Sequence, residues 1–267
     1  MSFLKIENLT AGFMSNIKNP PVLRGVNLEI ARGSRHALIG QTGAGKSVLG
    51  LSIVNLLPEN ARLTGKVFFQ GKNLLDCSEK EMMRLRGKEM MMIFQNPFLT
   101  LNPVLSIEAQ LCEIPMFHEG MNRSRARVRA REMLYMCGLK EPQKIMQAYP
   151  HEMSGGMLQR VALAMGIICH PKLLIADEPL KGLDVSRKKQ LALTLAKVCQ
   201  ELGITLLLIT HNLKVAQYVC DVSSVMYQGQ IVETAAAKDL FLSPSHAYSQ
   251  KLVQTFYRFE QVEELCN

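Results

Sequence analysis

A chain of 267 residues can bury one sizeable α/β core and a small appended piece, but hardly two full domains. With 48% hydrophobic and 20% charged residues it is not a disordered chain. The longest apolar runs, Val161–Cys169 and Ile204–Ile209, reach only about half of the roughly 20 residues that a bilayer-spanning helix needs.

The formal charge of +8 raises nucleic acid or an acidic membrane surface as partners. The most basic segment, however, carries Arg123, Arg125, Arg127, Arg129 and Arg131 at a spacing of two. That spacing spreads charge around a helix and reads as a solvated face. The N-terminus does not read as a signal peptide, because Met1–Ile6 is only briefly apolar. Seven cysteines without C-x-x-C spacing fit reduced thiols used as small core fillers.

In chain order, Phe3–Leu9 and Val22–Ile30 read as strands, and Ala31–Ser34 as a turn. A short strand over Arg35–Ile39 runs directly into Gly40. A helix over Ser47–Leu57 follows and is stopped by Pro58. Gly65–Gln70 is the next strand, bounded by glycines, followed by a helix over Asp76–Arg86 and a buried strand over Glu89–Phe94. Asn96–Pro103 is rich in turn residues. The middle is helical, over Ile107–Met116, Arg123–Met136 and Met153–Ile168. Leu173–Ala176 and Ile204–Ile209 are apolar strands on either side of a helix over Lys188–Leu202. Ser224–Tyr227 and Gln230–Val232 pair around Gly229, and a helix begins near Ala247. Alternating helices and continuously apolar strands predict an α/β fold. Its sheet is mainly parallel and covered on both faces, with an antiparallel β layer at the N-terminus and an α-helical insertion in the middle.

Gly40-Gln41-Thr42-Gly43-Ala44-Gly45-Lys46-Ser47 satisfies G-x-x-x-x-G-K-[ST] between a strand and a helix. About 0.01 such strings are expected by chance in a chain of this length. Glycines let the backbone wrap closely enough for successive N–H groups to face phosphate oxygens, and the following helix adds its free N-terminal amides. Lys46 is placed to neutralise the β- and γ-phosphates, and the Ser47 hydroxyl to ligate Mg²⁺. The expected cofactors are therefore ATP and Mg²⁺.

Leu173-Leu174-Ile175-Ala176-Asp177-Glu178-Pro179 is a buried strand ending in two carboxylates. Asp177 is suited to Mg²⁺, because hard cations prefer oxygen. Glu178 is suited to polarise the attacking water, a role that needs reach more than a raised pKa. Alone, such a pair reads as solvated carboxylates; beside the phosphate loop it reads as function.

Met153-Ser154-Gly155-Gly156-Met157 places an N-cap serine and two glycines at a helix start, a surface suited to anions. Here the sequence resembles the ATP-binding cassette family, whose signature is L-S-G-G-x, with Met153 in place of leucine. The resemblance implies a phosphate-loop NTPase core and a head-to-tail dimer. In that dimer Ser154, Gly155 and Gly156 of one chain cover the nucleotide held by the other. It further implies that Gln95 is the Q-loop glutamine, sensing Mg²⁺ and water, and that Asp184 is the D-loop aspartate at the dimer seam. His211 is implied as the switch histidine at the γ-phosphate, and Phe13 as the aromatic stacked on adenine. Lys46, Gln95, Glu178 and His211 form the implied catalytic set, and Ser47, Gln95 and Asp177 the implied metal set.

Ile93-Phe94-Gln95-Asn96-Pro97, Tyr149-Pro150-His151-Glu152 and Ser243-Pro244-Ser245-His246-Ala247-Tyr248 are similar to the peptide and nickel importer branch. Residues 1–267 are then expected to form a single nucleotide-binding domain. A helical signature subdomain is expected at 96–165, and a short β/α tail at 224–267. The branch implies integral-membrane permease subunits, a second cassette of the same or a paralogous kind, and an extracytoplasmic solute-binding protein. No direct nucleic-acid contact is expected, and location is at the cytoplasmic face of the membrane through the permease. Two alternatives remain open. A soluble cassette ATPase of DNA repair or chromosome organisation would need coiled-coil arms between phosphate loop and signature. A regulatory module that only binds ATP would not need Lys46, Asp177, Glu178 and His211 together.

Overall fold

Strand β1 (Leu4–Phe13) first alternates with its buried residues at Leu4 and Ile6, then slips by one so that Leu9 and Ala11 take over the buried face. The slip falls at Asn8, whose φ of 48° marks a bulge. Opposite it, Gly65 has φ 105°, and a side chain there would meet the Asn8 and Glu7 carbonyl oxygens at 2.6 and 2.7 Å. Gly65 is therefore inside strand β4 (Ala61–Phe69) and not at its start, which is why a glycine-bounded strand was expected too late in the chain.

The computed structural model describes residues 2–13, 20–96 and 100–265, with side chains as far as 258. Residues 97–99 of the turn-rich passage, and Cys266, lie outside the described residues. Two compact units form, Met1–Asp76 with Leu208–Asn267, and Cys77–Leu207.

In the first unit, β1 pairs antiparallel with β2 (Leu23–Ile30) and β4, and β5 (Lys72–Asn73) completes a four-stranded sheet ordered β2-β1-β4-β5. A second run of strands has the order β10-β9-β3-β8, from β3 (Arg35–Ile39), β8 (Thr205–Thr210), β9 (Val222–Tyr227) and β10 (Gln230–Ala236). β3 is parallel to β9, with His36 opposite Val222 and Ile39 opposite Val225. Its helices are α1 (Lys46–Ile53), α8 (Leu213–Val219), α9 (Ala237–Leu242) and α10 (Ala247–Leu265).

In the second unit the order is β8-β7-β6, with β6 (Met90–Ile93) parallel to β7 (Leu173–Asp177), and the division between the units falls within β8. All of β7 is buried, as its unbroken apolar run requires. Its helices are α2 (Glu79–Leu85), α3 (Ile107–Glu119), α4 (Arg123–Met136), α5 (Pro142–Gln147), α6 (Gly155–Ile167) and α7 (Val185–Glu201). Sequence periodicity did not reveal α5, α8 and α9, each only six or seven residues long. Pieces that short hold less than two turns of pattern.

The mainly parallel sheet, the N-terminal antiparallel layer and the inserted helices agree with the expected fold. The arginine helix needs one refinement. α4 packs Ala126, Ala130, Met133 and Leu134 inward. Arg123 and Arg127 share Glu108, at 3.4 and 3.2 Å, and Arg129 Nη1 donates to the Ile168 carbonyl at 3.0 Å. That carbonyl ends α6, where a cation offsets the negative end of the helix dipole. Cys112, Cys137, Cys169, Cys199 and Cys220 are buried, and burial pushes the Cys169 thiol up to about 12.

Candidate nucleotide-binding loop and signature helix

β3 delivers the chain at Ile39 to the loop, and α1 begins at Lys46. Gly45 is the N-cap of α1 in the left-handed region, at φ 105°. No side chain caps this helix and no acidic residue occupies its first turn, so no carboxylate competes for its first amides. A Cβ at Gly40 would run into the Met226 carbonyl oxygen, and one at Gly45 would come within 3.2 Å of the Val22 carbonyl oxygen. The close approach of backbone to backbone is what requires glycine at these two positions. Gly43 has open space around it and is exposed with Gln41, Thr42 and Ser47, while Ala44, Gly45 and Lys46 are buried. The Ala44 carbonyl accepts from the Gly229 N–H at 3.0 Å, which ties the loop to the β9–β10 turn.

Lys46 is 7% exposed, and its ammonium donates to the carbonyls of Gly40 at 2.7 Å and Gln41 at 3.0 Å. A cation is thereby fixed inside the loop. An ammonium, the Ser47 hydroxyl, open amides and a helix start free of acid form a donor set that fits a polyphosphate. In the same unit, half-buried Phe13 ends β1, and exposed His211 follows β8 directly. Behind His211, Asn212 caps α8 by accepting from the Val215 N–H at 3.1 Å.

In the second unit, Asp177 is the last residue of β7 and 7% exposed. Glu178, at φ 48°, leaves the strand in the left-handed region, so its side chain departs from the strand's alternation. Its carbonyl accepts from the Lys181 N–H at 3.1 Å, closing a turn. Gln95 lies two residues beyond β6 and is exposed. Ser154 caps α6, accepting from the Met157 N–H at 3.4 Å, and is exposed with Gly155. Asp184 caps α7 by accepting from the Arg187 N–H at 2.9 Å.

The structure brings the signature and the segment leading into α7 together. A cavity of about 190 Å³ is lined by Ser154, Gly156, Met157, Arg160, Leu183 and Arg187, among others. Arg160 bridges the wall, donating to the Cys137 carbonyl at 2.6 Å and to Gln190 Oε1 at 3.0 Å. Gln159 Nε2 donates to the Lys181 carbonyl at 2.8 Å. Gln159 and Arg160 fall within the helix that the sequence predicts over Met153–Ile168, where no local pattern gives them a supporting role. Among the described residues no group of three or more His, Cys, Asp or Glu forms a metal cage. The Ser47 hydroxyl in the first unit and the Asp177 carboxylate in the second are each an oxygen donor of the kind that hard cations prefer.

The family model described as ABC transporter matches residues 23–181, more than half of the chain. The chain belongs to the ABC transporter family. It is an ATP-binding, ATP-hydrolysing ABC transporter subunit. The oligopeptide transport ATP-binding protein AppD of Bacillus subtilis is 41% identical over 254 residues, covering 94% of this chain and 77% of that protein. The dipeptide transport ATP-binding protein DppD of Bacillus subtilis is 38% identical, covering 96% and 77%. Among solved structures, CbiO1 of Clostridium perfringens, part of an ABC transporter complex, matches with a TM-score of 0.79 at 27% identity, covering 98% of this chain and 99% of that one. The ATP-binding cassette MJ0796, solved as a dimer bound to ADP and Pi, matches with a TM-score of 0.77 at 26% identity, covering 88% and 98%. No described helix of this ABC subunit is long and apolar enough to cross a membrane.

Proposed function

We propose that this ABC subunit drives an importer of oligopeptides or of nickel and metal-chelate complexes, and that it works as a dimer sandwiching nucleotide. The observation that carries the reading is the phosphate loop, with a buried ammonium held by its own carbonyls beside an acid-free helix start. Oligopeptides come first among the cargoes, because relatives at 41% and 38% identity are named for oligopeptide and dipeptide transport. MJ0796, a structural neighbour solved as a dimer, supports the paired state.

In this reading Lys46 exchanges its loop carbonyls for phosphate oxygens. The amides of residues 42–47, from Thr42 through Gly43, Ala44, Gly45 and Lys46 to Ser47, orient the phosphate chain, and Gly40 and Gln41 form the loop's entry. Ser47, Asp177 and Gln95 hold Mg²⁺, which when bound neutralises charge on the transferring group. Glu178 takes the proton of the attacking water, while Gln95 and His211 fix the water's direction. Phe13 stacks on adenine. Ser154, Gly155, Gly156 and Asp184 serve the nucleotide of the partner copy. Residues 1–267 act as one nucleotide-binding domain, with 96–165 as the helical signature subdomain, which docks on the permease, and 224–267 as the tail. The permease holds the chain at the cytoplasmic face, and a solute-binding protein outside delivers the cargo.

Replacing Glu178 by Gln is expected to cut steady-state ATP turnover about a hundredfold or more while MgATP binding persists, since only the proton acceptor is lost. Turnover near wild type in the assembled complex overturns the assignment.

A further inference from the structure

The segment Ser243-Pro244-Ser245-His246-Ala247-Tyr248 finds no use in the proposed ATP chemistry, yet it is fastened to the phosphate loop. The Glu233 carboxylate accepts from the Ser245 N–H at 2.7 Å and the His246 N–H at 3.0 Å. Gln250 Nε2 donates back to the Pro244 carbonyl at 3.0 Å, and the Tyr248 N–H donates to His246 Nδ1 at 3.1 Å. These bonds set the start of α10, and from its first turn Tyr248 stacks on Tyr227, with centroids 4.1 Å apart and planes 25° apart. The Tyr248 hydroxyl then accepts from the backbone N–H of Gln41 at 3.4 Å.

That N–H belongs to the same peptide unit as the Gly40 carbonyl, which receives the Lys46 ammonium at 2.7 Å. One peptide plane is gripped at both poles, by Tyr248 on one side and by Lys46 on the other. Without such a grip the plane is less restrained, because Gly40 has no side chain to limit rotation about its ψ. Rotation would turn the carbonyl away from Lys46 and blur the position of the charge meant for phosphate.

We propose that Tyr248 is a positioning residue for nucleotide binding, its hydroxyl fixing the Gly40–Gln41 peptide so that Lys46 is held ready for phosphate. This rests on the reading of the loop as the ATP site. The Glu233–Ser245–His246 latch and the Tyr227 ring are the supports that bring the hydroxyl there. The phosphate loop is thus organised partly from the far end of the chain.

The test uses the full chain with Tyr248→Phe, which keeps the ring on Tyr227 and removes only the acceptor. A fluorescent ATP analogue with Mg²⁺ is expected to bind about two- to tenfold more weakly, as loss of one hydrogen bond predicts. KM for ATP should rise by that factor with a smaller change in kcat, and the melting temperature should stay close to wild type. Tyr257→Phe, an exposed tyrosine farther along α10, should bind as wild type does. Unchanged affinity in Tyr248→Phe overturns the proposal, as does a loss matched by Tyr257→Phe. A second measurement reads the bond itself. The Gln41 amide should be protected from hydrogen exchange in the nucleotide-free wild type and lose protection in Tyr248→Phe. An unprotected Gln41 amide in the wild type overturns the proposal even if the variant does not fold. Failure of the wild type to bind ATP at all strikes the nucleotide reading instead, and the Gln41 amide still decides whether the latch exists.

Discussion

Two glycine-rich turns lead into helices in this chain, and their glycines answer to different needs. In the phosphate loop, Gly40 and Gly45 have φ of 154° and 105°, and both are backed by other backbone. In the signature turn, Gly155 and Gly156 lie within α6. A Cβ at Gly155 would meet nothing within 4 Å, and one at Gly156 only the Leu183 side chain at 3.5 Å, an ordinary contact. Packing within the chain therefore demands glycine in the first turn and not in the second. A need for glycine at the signature must come from whatever approaches that helix start from outside, as the partner's nucleotide would.

The sharpest way to break this contrast is Gly40→Ala. The added methyl meets the Met226 carbonyl in a backbone region that L-residues rarely adopt, so strain and overpacking combine to cost about 4 kcal/mol. A large drop in the thermal unfolding midpoint is expected. A variant that melts with the wild type would show that the loop backbone is free to move away from β9, and the distinction between the two turns would fall.

The contrast also explains what the sequence reveals and what it hides. The phosphate loop is legible because its eight residues are consecutive and four of them, Gly40, Gly45, Lys46 and Ser47, are fixed by the chemistry of one turn. The acidic end of β7 is legible because a fully buried strand leaves an unbroken apolar run before Asp177. Support from a distance is not legible. Tyr248 and Gln41 stand 207 residues apart, and no local pattern links a C-terminal tyrosine to one peptide plane. Arg129 is likewise hidden in a run of alternating arginines, although it alone of that run caps the end of α6 through the Ile168 carbonyl. Gly65 misleads for the reverse reason, since a glycine reads as a boundary and here sits in a bulge.

A smaller effect tests how deeply the phosphate-loop side depends on its core. On β3, the strand that carries the loop, His36 is 2% exposed and contacts Ser224 Oγ at 2.8 Å, which in turn contacts Thr234 Oγ1 at 2.7 Å. Burial lowers its pKa from 6.5 to about 4. Well above pH 6.5 the ring is neutral in both the folded and the unfolded chain, so no stability is lost there. As pH falls from 6.5 to about 4, the unfolded chain takes up a proton that the folded one resists. Stability should then drop by about 3 kcal/mol across that window. His118 and His170 are lowered by burial in the same direction, so the comparison must be with His36→Gln, which removes this one contribution. An acid-unfolding limb identical in wild type and variant would contradict the assignment.

The smallest change in stability, and the most informative about function, is expected from Gly155→Ala. Alanine is the better helix former by about 1 kcal/mol in a helix interior and by less at this first helical position, and open space awaits its methyl group, so the melting temperature should hold or rise slightly. If a partner's nucleotide packs against this helix start, the same methyl stands between the amides and the phosphate. Turnover of the assembled dimer should then fall at least about tenfold, because sub-ångström misplacement at a reacting group is costly. ATP binding to the isolated chain should be untouched, since that chain's own phosphate loop is unaltered. Stability and activity moving in opposite directions would locate the demand for glycine outside the chain. Wild-type turnover in this variant would mean that nothing approaches the signature closely, and the second turn would lose its claim to a ligand.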